Sequence, residues 1–584
     1  MTKTNIFCFC ACTVLFIPRV SLGQCNGSSP TWTTSPDSAS VQACVNNASP
    51  GDRINISAGT ATWTMGVSIS KPLSLVGPGA TSLTVTDNVN NNAGITINVA
   101  SGEVRISSFT WAAGSSLNCS STCPNYSILM QGGSTQFRVD NITFATGWGG
   151  HAHAILGIDG FGVVDHNTFT DSAGIFVYAG ASSYQGVGSY GDNSWAQPDA
   201  YGTANALYLE NNTITGTSGT GIAATDCATF GGCRIVVRYN TLNMTNVQNH
   251  GTESPGRPRG GRLMEVYNNQ FITNETYGQN QNSAVNMRSG TGLMWGNTFS
   301  LQNGSSFDGW SEALSVLLER ASSNQSVWGT CDGTGPYDQN DGTVYASGTY
   351  TGSSGPQSPL TDTTKSWATN QWVPTGAPFS ARNTTAAWGE EITSNSSTTA
   401  TLLPDAYTTP VWTNGDSYQI LRAAVCIDQI GRGQGNLLSG STPIPTGWVQ
   451  DNLDPVYLFN NSYVPMYIGV VSSNTLREIS NRDYYYECSS QNVSGCSNSN
   501  FNGTSGTGTG LLANLPSTCS SSAYPGPAYW ATDANGGNGE LYICAAANTW
   551  TPSYTPYTYP HPLTNLTTSG TVPSAPGNLT ATVQ

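Results

Sequence analysis

A cluster of basic residues between positions 234 and 262 is the feature of the sequence with the clearest chemical potential. It holds five of the chain's 19 Lys and Arg residues and one acid, so its local charge is 5 − 1 = +4 in a protein of net charge −15. An Arg guanidinium can hold a carboxylate or a sulfate with two parallel hydrogen bonds. We therefore expect an acidic polysaccharide as the ligand. The five residues are Arg234, Arg238, Arg257, Arg259 and Arg262.

Cleavage of a uronate chain by β-elimination needs a group that neutralises the carboxylate, a base for the C5 proton and an acid for the leaving oxygen. An arginine of the cluster would neutralise the substrate carboxylate, and His250 or an arginine would be the base. Tyr208 or Tyr267 would be the acid. The predicted catalytic residues are Arg238, His250, Arg262, Glu265 and Tyr267. The predicted substrate-binding residues are Tyr208, Arg234, Glu253, Arg257, Arg259 and Trp295.

Calcium is the one cofactor that the sequence suggests, because Asp165 and Glu210 would offer it carboxylate oxygens beside the substrate. The same two carboxylates would instead serve hydrolysis if their spacing were about 5–5.5 Å, whereas Glu265 is expected to lie too far from Glu210. Two further interpretations stay open. The arginines would form ion pairs with Asp165, Glu210 and Glu265 on a soluble surface, or the protein would bind a glycan without turnover, as an adhesin does.

These residues belong to a short pattern that recurs along the chain: an alternating apolar run, Asn, a small polar residue and an apolar anchor. The anchors from Phe144 to Phe299 are 25, 45, 28, 29 and 28 residues apart, which suits one turn of a β-solenoid. Side chains alternate along a strand, so residues five before each anchor should face the core. This inward column is Val139, Val164, Leu209, Val237, Val266 and Met294.

The residues four before each anchor should then face outward, and we place the site on this groove. The outward column is Asp140, Asp165, Glu210, Arg238, Tyr267 and Trp295. The asparagines two before the anchors should stack at a bend and satisfy backbone groups there. This predicted ladder is Asn167, Asn212, Asn240, Asn269 and Asn297.

The segments PGDRINISAG from Pro50 and ISKPLSLVGPG from Ile69, together with the asparagine ladder, resemble the pectin-lyase-like superfamily. The resemblance covers about residues 38–330 and 427–485. It implies an all-β fold, a right-handed parallel β-helix, with a short helix at Ser38 to Ala48 over the open end. The superfamily includes lyases, hydrolases, esterases, epimerases and adhesins, so the fold alone does not choose an activity.

Composition and cysteine usage indicate an extracellular protein. Charged residues are 9% of the chain, and the negative net charge argues against a nucleic-acid partner. An apolar run from Ile6 to Ile17 after Lys3 predicts a signal peptide over 1–23. No later stretch is long and apolar enough for a membrane span, and we expect a monomer. The 12 remaining cysteines are expected to pair sequentially: Cys25–Cys44, Cys119–Cys123, Cys227–Cys233, Cys331–Cys426, Cys488–Cys496 and Cys519–Cys544.

The predicted organisation has one β-helix interrupted by a small domain. The β-helix spans 24–330 and resumes over 427–510, and a small β domain with Trp367, Trp372, Trp388 and Trp412 in its core is inserted at 331–426. A disulfide-containing module follows at 511–570, and a linker-like tail at 571–584.

Overall fold

The computed structural model describes residues 24–565 apart from a set of internal segments. The expected signal peptide and the C-terminal tail lie outside the described residues. The internal segments that are also outside them are 90–92, 115–125, 134–135, 146–152, 159, 172–174, 181–194, 196–197, 217–222, 230–231, 252–259, 275–282, 303–311, 317–342, 357, 376–378, 404–410, 423–427, 434–451, 465–469, 473–475 and 488–500.

Three long sheets run along the molecule, and successive strands of one coil belong to different sheets. Each strand pairs in parallel with the equivalent strand one coil away, for example Leu207–Glu210 with Arg234–Arg238. A single antiparallel pair, Cys25–Ser28 with Thr31–Thr34, starts the stack among the described strands. This arrangement confirms the predicted parallel β-helix. We name the sheets A, B and C in the order in which the chain visits them.

The strands of each sheet stack in the order of the chain. Sheet A contains Cys25–Ser28, Thr31–Thr34, Arg53–Ile56, Ser74–Val76, Val104–Ser107, Phe137–Asp140, Gly162–Asp165, Leu207–Glu210, Arg234–Arg238, Leu263–Tyr267, Thr291–Trp295, Val456–Phe459 and Tyr484–Tyr485. Sheet B contains Gly59–Trp63, Leu83–Asp87, Thr110–Ala113, Thr143–Phe144, Thr168–Asp171, Thr213–Gly216, Thr241–Asn243, Gln270–Asn274, Thr298–Gln302 and Ser462–Val464. Sheet C contains Val67–Ile69, Ile95–Asn98, Tyr126–Gln131, His153–Ile158, Ile175–Gly180, Ala223–Thr229, Asn246–Asn249, Ser283–Met287, Glu312–Val316 and Val470–Ser472.

The inward column has the register that the repeat predicts. Val164, Leu209 and Val237 face one another across consecutive coils, and Val266 and Met294 continue the column. All five side chains are buried in the main apolar core. The predicted alternation of inward and outward residues is therefore confirmed.

The asparagine ladder satisfies the backbone at the bend between sheets A and B. Asn212 Oδ1 accepts the backbone N–H of Asn167 at 2.9 Å, and its Nδ2 donates to the carbonyl of Val164 at 2.8 Å. The ladder continues through Asn297 to Asn461, which accepts the Asn297 backbone N–H. Each bend needs a left-handed residue just before the ladder position, and these residues are His166, Asn211, Tyr239, Asn268 and Gly296.

A helix from Ser38–Asn47 covers the first coil, as the resemblance implied. Asp37 caps it by accepting the backbone N–H of Ser40 at 2.9 Å, and Val41 and Val45 are buried in the core. The disulfide between Cys25 and Cys44 attaches the helix to the first strand.

An antiparallel unit occupies the region between the sheet C strand Glu312–Val316 and the sheet A strand Val456–Phe459. Its core contains Trp367, Trp372 and Trp412, as expected, and Trp388 packs against it. Buried Arg477 forms an ion pair with Glu391 and so connects this unit to the last coils. Its strands are Val344–Thr349, Gly355–Pro356, Leu360–Thr361, Phe379–Asn383, Trp388–Asn395, Thr399–Leu402, Val411–Trp412 and Ser417–Arg422.

A four-stranded sheet ends the described chain and packs on sheet A. Its strands are Thr507–Gly510, Ala528–Ala531, Glu540–Ala546 and Thr549–Tyr554, with single helical turns at Leu512–Asn514, Asn535–Gly537 and Pro562–Asn565.

Three of the predicted disulfides are confirmed: Cys25–Cys44, Cys227–Cys233 and Cys519–Cys544. Cys119–Cys123, Cys331–Cys426 and Cys488–Cys496 lie outside the described residues. Among the residues that are described, no helix has the length and apolar character needed to cross a membrane.

Candidate functional site

The predicted outward column stacks in register on sheet A. Asp165 faces Glu210, Glu210 faces Arg238, Arg238 faces Tyr267, and Tyr267 faces Trp295 across successive coils. The column points away from the solenoid core, as the alternation requires. The spacing of the repeat was therefore sufficient to place these side chains side by side.

The expectation that this column lines an open groove is wrong, because the C-terminal sheet and the segment after it cover the column. Glu210, Arg238 and Glu265 are 0% exposed. Trp295 packs on Trp530 of the C-terminal sheet at a centroid distance of 4.7 Å. Tyr208 and Tyr267 belong to the same apolar cluster as Trp295 and are fully enclosed. The C-terminal sheet and the segment after it occupy the space that a substrate would need for the predicted binding and acid roles of these aromatic residues.

Residues 555–565, which we call the C-terminal strap, bind the charged side chains of the column through their backbone groups. Arg238 donates to the carbonyls of Tyr557 and Thr558 at 2.8 and 2.9 Å. It also forms a 2.6 Å ion pair with Glu210, whose carboxylate accepts the backbone N–H of His561 at 3.0 Å. Of the expected ion pairs, the one between Arg238 and Glu210 is therefore present, but it is buried under the strap and does not lie on a soluble surface.

Calcium does not fit the pair Asp165 and Glu210. Arg138 forms a 2.9 Å ion pair with Asp165, and Arg238 contacts Glu210. A divalent cation between these carboxylates would face two buried guanidinium groups. The same contacts prevent Asp165 and Glu210 from acting as a hydrolytic pair.

The surroundings of Glu265 favour the protonated, neutral form of its carboxyl group, which is hydrogen-bonded to uncharged groups. Its carboxyl group accepts hydrogen bonds from the backbone N–H of Gly202 and from the hydroxyl of Tyr554, both at 2.9 Å. Burial raises the pKa of Glu265 to about 7. Burial also lowers the pKa of His561, in the strap, to about 3, and the nearby guanidinium of Arg238 lowers it further.

Arg234 and Arg262 lie at the corner where sheet C leads into sheet A. Arg262 contacts the carboxylate of Asp199 at 2.5 Å, and its guanidinium lies 5.2 Å from the ring of Trp195. Arg234 donates to the carbonyl of Pro198 at 3.2 Å. Both arginines therefore bind the segment that precedes the Leu207–Glu210 strand. They do not share the carboxylate of Glu210 with Arg238.

His250 lies on a different sheet from Arg238, so the predicted single site is also wrong in this respect. His250 follows the sheet C strand Asn246–Asn249, and its Nδ1 is 2.9 Å from Oδ1 of Asp226. Its backbone N–H donates to the carbonyl of Cys227, next to the Cys227–Cys233 disulfide. Three other predicted residues, Glu253, Arg257 and Arg259, lie outside the described residues.

Asp226 belongs to a row of polar residues on the outer face of sheet C, which we call the polar row. Asp226 faces Gln248, Gln248 faces Asn286, and Asn286 faces Ser315 across successive coils. Gln248 Nε2 donates to Asp226 at 3.3 Å and so supports the carboxylate that holds His250. The His250 side chain retains 15% exposure, whereas that of Asp226 retains 1%. The arrangement is an oriented imidazole at the edge of a buried polar surface.

The corner after His250 is held by close backbone contacts. Gly261 donates its N–H to the carbonyl of His250 at 2.9 Å, and Gly260 donates to Asp428 Oδ2 at 2.8 Å. A Cβ on Gly260 would overlap Ser289 of the next coil, so only glycine fits there. These contacts fix the position of His250 relative to the next coil.

Sequence reasoning found His250 but missed Asp226, Gln248 and Asn286. The signal that could have found Gln248 is the alternation in NVQNH, which places residues 246, 248 and 250 on one face. Asp226 could not be paired with His250 from the sequence, because the anchor pattern marks only sheets A and B. The register of sheet C strands follows loops of unequal length.

Comparisons with known proteins leave the family open. No family model and no curated protein matches the chain. The chain is similar to ORF18 of Geobacillus virus E2, with 10% identity over 71% of this chain and 77% of that one and a TM-score of 0.26. It is also similar to the enzymatically active domain of tailspike protein 2 of bacteriophage CBA120 (10%, 66%, 70%, TM-score 0.23) and to the Dettilon tailspike protein (11%, 68%, 91%, TM-score 0.22). At these TM-scores the likeness carries no argument about activity.

Replacing Arg238 should damage stability rather than glycan binding. Arg238→Ala leaves Glu210 buried without its ion pair and removes two strap contacts, so we expect a loss of about 3–5 kcal/mol in unfolding free energy. Chemical denaturation measures this loss, and Arg53→Gln, at a partly exposed position, is the control. A stable Arg238→Ala protein with a specific binding defect would contradict this assignment.

Replacing Glu265 by Gln should change how stability depends on pH. Between its ordinary pKa of 4.5 and its folded pKa of about 7, folded Glu265 keeps a proton that the unfolded chain has released. Unfolding free energy therefore falls as pH rises through this window, by up to about 3 kcal/mol for this group. Gln keeps partners for Gly202 and Tyr554 without ionising.

The measurement is the difference in unfolding free energy between Glu265→Gln and the native protein from pH 4 to pH 8. His561 contributes an opposite slope in both proteins, because its lowered pKa favours folding as pH rises, and this slope cancels in the difference. We expect the unfolding free energy of the variant to rise relative to that of the native protein as pH rises. A constant difference would show that Glu265 does not carry the shift.

Proposed function

We propose that the protein is an extracellular polysaccharide lyase that acts at the outer face of sheet C, with His250 as the base. The observation that carries the proposal is the hydrogen bond between Nδ1 of the partly exposed His250 and Asp226, which belongs to the polar row of sheet C. Disulfides are typical of extracellular proteins and support the location.

The contact with Asp226 determines how His250 would work. A carboxylate only accepts hydrogen bonds, so the neutral imidazole carries its proton on Nδ1 and its lone pair on Nε2. Asp226 then orients the ring and stabilises the imidazolium that forms. In turn, Asp226 is fixed by Gln248.

The elimination balances with this one residue as base and acid. Nε2 takes the proton from C5 of a uronate, the electron pair forms the C4–C5 double bond, and the bond from C4 to the glycosidic oxygen breaks. The proton on Nε2 is then available to the leaving oxygen. This assignment replaces Tyr208 and Tyr267, which are enclosed under the C-terminal sheet.

Hydrolysis has a weaker geometric case. A second carboxyl pair does exist at Asp199 and Asp454, where Arg262 contacts both groups. Burial raises the pKa of Asp454 well above its ordinary value, and the neighbouring Asp199 raises it further. The guanidinium of Arg262 lies 2.5 Å from the carboxylate of Asp199 and 3.7 Å from that of Asp454, so one cation already engages both groups. The pair therefore has the geometry of a structural ion-pair network around Arg262 more than that of a hydrolytic centre.

The test is the absorbance of the unsaturated product near 235 nm with pectate, alginate and glycosaminoglycans. His250→Ala should lower kcat on the active substrate by about 10²-fold or more, the usual contribution of a general base. Asp226→Asn should lower it as well and alter the pH profile, because the amide disturbs the tautomer of His250.

The matched control is His166→Asn, which removes a half-exposed histidine at the bend between sheets A and B that also contacts an aspartate. Asn tolerates the left-handed backbone there, so activity should be unchanged. No absorbance on any substrate, with reducing ends released instead, would replace the lyase by a hydrolase. No product of either kind, with binding retained, would favour an adhesin.

A further inference from the structure

The strand Asn246–Asn249 carries a row of outward residues that leads to His250. Positions 246, 248 and 250 share one face because side chains alternate along a strand. Exposure rises along the row, from 1% at Asn246 to 6% at Gln248 and to partial exposure at His250. The row is therefore deepest at Asn246 and opens at the histidine.

The deep end of the row has polar atoms without partners in the described part of the chain. Neither amide atom of Asn246 makes a hydrogen bond there, and Gln248 Oε1 has none, although its Nε2 is bound to Asp226. Ala223 faces Asn246 on the previous coil and adds no donor or acceptor. By contrast, the side-chain amides of Asn212 and Asn240 in the ladder donate to the carbonyls of Val164 and Leu209.

Leaving a buried amide unsatisfied costs about 1–3 kcal/mol, so the lack of partners for Asn246 among the described residues calls for an explanation. A sugar hydroxyl both donates and accepts, which suits an amide that offers one oxygen and one N–H₂ group. Gln248 Oε1 would accept from a second hydroxyl. The row thus has the chemistry of a pyranose subsite.

Arg288 stands at the level of His250 on the next coil. Gln248 faces Asn286 in the register, and His250 and Arg288 each lie two residues further along the chain, just past the ends of these strands. Asn249 fixes this level, because its Oδ1 accepts the backbone N–H of Arg288 at 2.8 Å and its Nδ2 donates to the carbonyl of Ser289 at 2.8 Å. Neighbouring strands lie about 4.8 Å apart.

We infer that the row Asn246, Gln248 and His250, with Arg288, is a subsite for one hexuronate ring of the polysaccharide. The inference rests on the proposed function and adds the residues that bind the uronate ring. Carbon 5 of a hexuronate bears both the proton to be removed and the carboxylate, so the base and the neutralising cation must be neighbours. His250 and Arg288 occupy matching positions on neighbouring coils, so in the inferred subsite Arg288 would face the carboxylate while Asn246 and Gln248 take ring hydroxyls.

Binding is tested apart from turnover, in a His250→Ala background that does not consume the ligand. The probes are uronate trisaccharides from pectate and alginate and the carboxyl-reduced form of each, measured by titration calorimetry. Asn246→Ala should weaken both forms by roughly 10-fold or more, the scale of one hydrogen bond of about 1.4 kcal/mol. Arg288→Gln should weaken only the acidic form by a similar factor.

Stability provides the second readout, because a purely structural role predicts the opposite result. The amide of Asn246 has no hydrogen-bond partner among the described residues, so Asn246→Ala should leave the melting temperature unchanged or raise it while it weakens binding. Thr96→Ala, on an earlier strand of sheet C, is the control and should change neither. A lowered melting temperature with unchanged affinity would show that Asn246 is a structural residue.

The outcomes separate this inference from the lyase proposal. If Asn246→Ala and Arg288→Gln bind both forms as the background does, the subsite is refuted even where the native protein cleaves. If acidic binding depends on Arg288 but the native protein gives no product, the subsite stands and the catalytic role of His250 falls. Equal binding of acidic and reduced forms by the background protein would refute the uronate specificity.

Discussion

Coil-on-coil register is the constraint on which this structure depends. In a parallel β-helix the strands make their hydrogen bonds only to the coils above and below, so each coil must repeat the bends of its neighbour. The asparagine ladder enforces that repeat, because every amide connects three coils, as Asn212 does with Asn167, Val164 and Asn240. With the register fixed, residues distant in sequence become neighbours on one face.

The outward faces of sheets A and C share this register but differ in what covers them. On sheet A the charges of the column would face water, but the C-terminal strap supplies main-chain carbonyls and N–H groups to them. Arg238 and Glu210 therefore act as anchors for the strap, in a setting where burial strengthens each contact and makes its loss costly. On sheet C the outward residues of the strand Asn246–Asn249 lead to the partly exposed His250, and that face retains groups capable of proton transfer.

The sequence was informative where its period was regular. The spacing of Val164, Leu209 and Val237 predicted the core, and the same spacing correctly stacked Asp165, Glu210 and Arg238. It did not predict their burial, because the covering residues Tyr557 and His561 lie more than 300 positions further along the chain. The pairing of His250 with Asp226 was also missed, since the bends leading into sheet C vary in length and leave no repeated motif.

The central claim is that the outer face of sheet C, and not sheet A, receives the polysaccharide. A crystal structure of the His250→Ala variant soaked with a uronate trisaccharide tests it most directly. The account predicts a sugar ring over Asn246 and Gln248 with its carboxylate toward Arg288, and the C-terminal strap unmoved on Arg238. A trisaccharide bound over Arg238 and Tyr267 with the strap displaced would contradict it.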